Sequence, residues 1–129
     1  LFGLNDLKEI NLSENNIRTI KKNTVILEEI VETCLNHDLK PVIVTPPFSK
    51  ALESRFSSEF KNVVLYKSIN TIVEKYNVLF LDYQRNSELF EESGVYIDGG
   101  FCLNKRGSKL FLKKLMNDLN YYLGENIYV

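Results

Sequence analysis

Polar side chains follow two of the apolar runs in this chain. Thr45 ends the run Val42-Ile43-Val44, and Asp82 and Tyr83 end the run Val78-Leu79-Phe80-Leu81. In α/β sheets, ligands bind at the edge where parallel strands end. The sequence therefore predicts a pocket at this edge, with the polar residues Asn5 and Asp98 and the loop aromatic Phe101 near its rim. Asp98 precedes two glycines, so an ordinary turn is the alternative interpretation of that residue.

Cys102 and His37 are the other side chains with reactive chemistry. Cys102 lies two residues before Asn104, the expected N-cap of the last helix, where a thiolate can have a lowered pKa. No histidine is near it in sequence to activate it as a nucleophile, so a partly buried structural cysteine is the alternative. His37, the one histidine, falls in the last turn of the first helix, where a cation interacts favourably with the helix dipole. One histidine and two cysteines argue against a zinc cluster or a disulfide framework, and no metal or other cofactor is expected.

The spacing of apolar residues predicts the elements that position these groups. Ser13 is expected to cap a helix from Glu14 to about His37, and Asn104 to cap a last helix that ends near Leu123. The remaining predicted elements are a strand ending at Leu4, a strand over 41–45, a turn of helix over 49–52, a helix over 57–76 and a strand over 78–82. Strands that alternate with helices indicate a parallel sheet, and strands without polar alternation are typically covered on both faces.

Length and charge limit the classes of function. The 129 residues form one domain at most, and the formal charge of −1 gives no electrostatic case for a nucleic-acid partner. The apolar runs are far too short to span a bilayer, so no membrane segment is expected. The lysine pairs Lys21-Lys22 and Lys113-Lys114 are interpreted as solvated helix faces. The chain opens without Met, in what reads as the end of a buried strand, and we expect it to be the C-terminal part of a larger protein.

Four segments carry a resemblance to the SGNH (GDSL-type) hydrolases. The segment 96–107, with its Asp98, Leu103-Asn104 and Gly107, resembles the family block Asp-x-x-His-Leu-Asn-x-x-Gly. Gly3-Leu4-Asn5-Asp6 resembles the family block Gly-x-Asn-Asp. The segments 40–47 and 74–83 are similar to two strand passages of the DltD-like branch of the family. The resemblance covers nearly all 129 residues in order and leaves out the Gly-Asp-Ser nucleophile block and the second block, which lie upstream in the family.

The resemblance implies a fold and a set of roles. The implied fold is a three-layer α/β/α sandwich with a parallel sheet of flavodoxin-like type, incomplete here, with about three strands within a single domain over 1–129. Asn5 would help to form an oxyanion hole and Asp98 would orient the triad histidine. Together with the position of the strand ends, the resemblance gives Gly3, Thr45, Asp82, Tyr83, Phe101 and Cys102 as the expected substrate-binding residues. An extracytoplasmic location in the cell envelope would follow.

The sequence differs from the family block at the position of the catalytic base. Phe101 and Cys102 stand where the family block has its histidine. Two hypotheses follow. In the first, the protein hydrolyses or transfers an acyl ester on a cell-envelope glycan, weakly or not at all in this form. In the second, it is a non-catalytic module for binding a small-molecule or glycan ester, or for assembly. The sheet edge at Leu1–Leu4 is expected to be exposed, or to be covered by another chain or by a missing segment.

Overall fold

The computed structural model describes residues 12–84 and 94–124. The main helices are α1 (Glu14–Asn36), α4 (Lys67–Tyr76) and α5 (Lys105–Leu123), with the single turns α2 (Lys50–Glu53) and α3 (Ser58–Lys61) between the first two. The strands are β1 (Val42–Thr45), β2 (Leu79–Asp82), β3 (Tyr96–Ile97) and β4 (Cys102–Leu103). These bounds agree closely with the predicted helices and with the two predicted strands that lie in the described ranges.

Side-chain caps explain where the helices begin. The hydroxyl of Ser13 accepts a hydrogen bond from the backbone N–H of Asn16, and Ser57 does the same for Phe60 at the start of α3. Each cap satisfies one of the N–H groups that a helix start leaves without an intrahelical partner. From Ser58 to Tyr76 the chain stays helical, but Asn62–Tyr66 form a π-helical turn between α3 and α4. The single helix predicted over 57–76 therefore contains an irregularity that the apolar spacing did not indicate.

The main core lies between α1, α4 and a parallel pair of strands. In the β1–β2 register, Ile43 is opposite Phe80, so both side chains point to the same face of the sheet. Both belong to one hydrophobic cluster with Val31 of α1 and with Ile69 and Ile72 of α4. Because α1 and α4 contribute to the same cluster, the two helices cover the same face of the strand pair.

A hairpin and the last helix form the rest of the described structure. β3 and β4 pair antiparallel across a 3₁₀ turn at Asp98–Gly100, and α5 follows at once. The sequence predicted a loop here, because the two-residue strands are too short to show an alternating pattern. On α5, Phe111 is partly buried, whereas Leu110 is exposed.

The three-layer α/β/α sandwich that the sequence predicted is wrong. The described residues are mostly helical, and their strands form two separate sheets of two strands each. β1 alternates between half-buried and buried residues, with Ile43 and Thr45 buried, so only one of its faces is fully covered. Two strands span about 5 Å between their axes, half the diameter of a helix, and cannot support helices packed on both faces. The predicted strand and exposed edge at Leu1–Leu4 lie outside the described residues.

Candidate functional site

The ends of β1 and β2 are joined by a small polar network. The Thr45 hydroxyl donates to Oδ1 of Asp82 at 2.6 Å, and the backbone N–H of Gln84 donates to the same oxygen at 3.0 Å. The backbone N–H of Tyr83 donates to the carbonyl oxygen of Thr45 at 3.1 Å, which continues the strand pairing. Thr45 and Gln84 are buried, so this network fixes the backbone where the strands end.

The turn of the hairpin is attached to the loop that follows β1. The backbone N–H of Ser49 donates to the carbonyl oxygen of Gly100 at 3.1 Å. The Tyr96 hydroxyl donates to the carbonyl oxygen of Phe48 at 3.1 Å, and burial raises the pKa of that hydroxyl. The rings of Phe48 and Phe101 meet edge to face with 5.8 Å between centroids. The turn that carries Asp98 is thus joined to the segment that leaves the end of β1.

The backbone of this turn has a conformation that few residues adopt. Asp98, Gly99 and Gly100 all have positive φ, at 54°, 69° and 99°. A left-handed backbone is disfavoured for residues with a Cβ, and Asp tolerates it better than most. At Gly100 an added Cβ would lie 1.9 Å from Oγ of Ser49, so a side chain has no room there. We define Asp98–Phe101 as the strained turn; Asp98 and Phe101 are exposed on it, and so is the neighbouring Cys102.

The start of α5 holds the other side of the hairpin. Oδ1 of Asn104 accepts from the backbone N–H of Gly107 at 2.9 Å, and its side-chain amide donates to the carbonyl oxygen of Gly94 at 2.5 Å. Its backbone N–H donates to the carbonyl oxygen of Val95 at 2.8 Å. A Cβ on Gly107 would lie 2.3 Å from that same carbonyl oxygen. Asn104 and Gly107 therefore each have a structural explanation, the first as a helix cap and the second as a point of close approach between α5 and the hairpin.

Tyr83 faces α5 and takes part in a charged cluster there. Its hydroxyl donates to Oδ2 of Asp118 at 2.6 Å, and the Lys114 ammonium donates to Oδ1 of Asp118 at 2.5 Å. Burial and the Asp118 carboxylate raise the pKa of the Tyr83 hydroxyl. Burial alone would raise the pKa of Asp118, but the bonds from Lys114 and Tyr83 hold it below its usual value. Tyr83 is therefore a neutral donor that joins β2 to α5, with its ring against Phe111 at 5.0 Å.

The predicted site residues thus fall into three groups. Thr45 and Asp82 bond to each other, and Asp98, Phe101 and Cys102 lie on or beside the strained turn. Tyr83 points to α5 and is buried. Gly3 and Asn5 lie outside the described residues, so their expected roles stay predictions.

Sequence reasoning missed the residues that hold the strained turn in place. They are Phe48, Ser49 and Tyr96, with Asp118 as the partner of Tyr83. The glycine pair before Phe101 was the available signal, because Gly99-Gly100 indicates a tight turn that something must pack against.

The side chains exposed at and beside the strained turn include the Asp98 carboxylate, the Phe101 ring and the Cys102 thiol. His37 caps the C-terminus of α1, and its Nδ1 is 2.8 Å from the carbonyl oxygen of Thr33. In the described ranges, no group of three or more His, Cys, Asp or Glu side chains is arranged to hold a metal ion. No helix in those same ranges is long and apolar enough to cross a membrane. The exposed Asp98 carboxylate can accept hydrogen bonds from a ligand, and the exposed Phe101 ring can contact an apolar surface of that ligand.

Comparisons with known proteins found no similar protein. No protein-family model, curated protein or solved structure matches the chain.

Proposed function

We propose that this chain carries a non-catalytic module that binds a glycan or small-molecule ester at the strained turn. The observation that carries the proposal is the turn itself, which holds an exposed carboxylate and an exposed aromatic ring, with Asp98 in a left-handed conformation that costs a residue with a Cβ about 1–3 kcal/mol. Such conformations cluster at functional sites. The ester class comes from the resemblance of 96–107 to the SGNH block.

The lack of a base argues for binding rather than turnover. The chain contains one histidine, and its ring contacts the backbone at the end of α1. α1 precedes β1, whereas Asp98 is joined to the segment that follows the end of β1. Without an imidazole, Asp98 has no triad partner to orient, and the rate that remains in triad enzymes after such a loss comes from binding and oxyanion effects.

Weak ester hydrolysis or acyl transfer is the second candidate function. It is favoured by the retention of a carboxylate at Asp98, a position with φ of 54° where glycine would fit with less strain. In this case Asp98 would take part in turnover.

A spectrophotometric assay with p-nitrophenyl acetate separates the two candidates. We expect the full-length protein and its Asp98→Asn variant to release p-nitrophenol at the same rate as buffer. The single variants Phe101→His and Cys102→His, both at exposed positions, test whether an imidazole at the turn raises the rate of p-nitrophenol release. Release by the unmodified chain that falls in Asp98→Asn would reject the binding-only proposal and support the second candidate.

A further inference from the structure

The outward face of α5 carries a row of exposed lysines. The helix holds five of the 16 basic residues of the chain and one of its 17 acidic residues. That acid, Asp118, is bonded to Lys114 and Tyr83. Lys105, Lys109 and Lys113, which we call the lysine row, follow at intervals of four residues and are all exposed. Among residues 12–84 and 94–124, no carboxylate forms an ion pair with any of the three.

The position of these charges is unfavourable for the helix. Lys105 and Arg106 lie in the first turn of α5, which contains no acidic residue. The N-terminus of a helix carries a partial positive charge, so cations there destabilise it and anions stabilise it. Helix stability therefore does not explain Lys105 at this position, whereas an anionic partner would gain from both the lysines and the helix terminus.

Apolar side chains lie on both sides of the lysine row. An open groove of about 560 Å³ is lined by Lys105, Arg106, Lys109, Leu110 and Lys113. Leu110 and Leu112 are 43% and 48% exposed. Residues are about 100° apart around an α-helix, which places Leu112 on one side of the row and Leu110 on the other. Tyr121, which is 81% exposed, continues the Leu110 side toward the end of the helix.

We propose that this face of α5 binds the surface of an anionic phospholipid bilayer. The lysine ammonium groups attract the lipid phosphates. Because the lysine stems are flexible, the charged ends can stay at the headgroups while the neighbouring leucines enter the boundary between headgroups and acyl chains. Tyrosine is favoured at that boundary because it has an apolar ring and a polar end. A nucleic acid would engage the lysines but give Leu110 and Leu112 no apolar partner. The contact is peripheral, and it is independent of the function proposed for the strained turn.

Vesicle sedimentation tests the proposal with the whole chain. The vesicles are pure phosphatidylcholine, or phosphatidylcholine mixed with phosphatidylglycerol. The test variant is Lys105→Gln/Lys109→Gln/Lys113→Gln. The matched control is Lys21→Gln/Lys22→Gln/Lys67→Gln, which removes the same charge from exposed positions on α1 and α4. A Leu110→Ser/Leu112→Ser variant tests the apolar contribution, and circular dichroism checks that every variant is folded.

We expect binding to the anionic vesicles alone, and its loss when salt rises from about 0.1 M to about 1 M. The test variant should bind about 100-fold more weakly, from about 1 kcal/mol for each lysine near the surface, while the control changes far less. The leucine variant should also bind more weakly. Equal loss in the test and control variants would overturn the proposal, as would absence of binding to anionic vesicles. Binding to a single-stranded oligonucleotide but not to vesicles would also overturn it.

Discussion

One added carbon atom at Gly100 would be enough to disturb the strained turn. The turn packs so closely against the loop after β1 that Gly100 faces Ser49 with no space for a methyl group. Gly99, one residue earlier, also has positive φ but has open space around its Cα. Alanine substitutions at Gly99 and at Gly100 therefore separate the cost of backbone strain from the cost of the clash with Ser49.

We predict that Gly100→Ala destabilises the chain by about 2–4 kcal/mol, since it adds both a steric clash and a strained backbone. Gly99→Ala should cost about 1–2 kcal/mol from the backbone alone. Urea unfolding monitored by circular dichroism measures both values. Equal costs for the two substitutions would show that the contact between Gly100 and Ser49 does not hold in solution.

Asn104 has a second role beyond capping α5, because its amide also holds Gly94. We predict that Asn104→Ala lowers the free energy of unfolding by about 2 kcal/mol, the sum of a lost cap and a lost hydrogen bond. Ser13→Ala, which removes a cap with one bond to Asn16, serves as the comparison and should cost about 1 kcal/mol. A smaller loss for Asn104→Ala than for Ser13→Ala would contradict the double role.

Asp118 makes the free energy of unfolding depend on pH in the acidic range. Its folded pKa is lowered by Lys114 and Tyr83, so the folded state binds a proton less readily than the unfolded state. The resulting stabilisation is present above the ordinary pKa of Asp, near 4, and is lost as pH falls below it. We predict that Asp118→Asn costs about 1 kcal/mol at neutral pH and progressively less below pH of about 4. Thermal unfolding across that range measures the difference, and a cost that is unchanged by acid would contradict the assignment.

At the scale of elements, one face of α1 packs on the strand pair while much of the helix surface stays uncovered. Val31 is 2% exposed and belongs to the main core, whereas Val25 on the same helix is 52% exposed. We predict that Val31→Ala costs about 2 kcal/mol, from lost apolar burial and a residual cavity. Val25→Ala should be close to neutral, since alanine favours helix. Equal costs in chemical denaturation would mean that Val25 is buried in solution.

The elements that the sequence predicted well are those with local signals. α1 and α5 are long, periodic and capped by Ser13 and Asn104, so caps and spacing define their starts. The parallel strands were found because their apolar runs are bounded by Pro46 and by polar residues. The π-helical turn at Asn62–Tyr66 and the hairpin strands have no such signal, because their hydrogen bonding is set by tertiary packing.

At the scale of the whole molecule, the predicted layer arrangement was wrong because apolar strands do not specify how many layers cover them. Val42 and Val44 suggested a second buried face, yet both are only partly buried. The edge at which Thr45 and Asp82 meet was predicted, since parallel strands end together. The attachment of the strained turn through Ser49 and Tyr96 was not, because it depends on long-range contacts across the chain.

Binding of a glycan ester at the strained turn can be measured directly by titrating the isotopically labelled chain with an O-acetylated glycan oligomer. Backbone amide NMR follows the titration. We predict shifts grouped at Gly99, Gly100 and Phe101 and at their contact Ser49, with no acetate released during the titration. Phe101→Ala should weaken the binding about tenfold, whereas Leu112→Ala should leave it unchanged. Shifts confined to other parts of the chain, or acetate release that stops in Asp98→Asn, would contradict it.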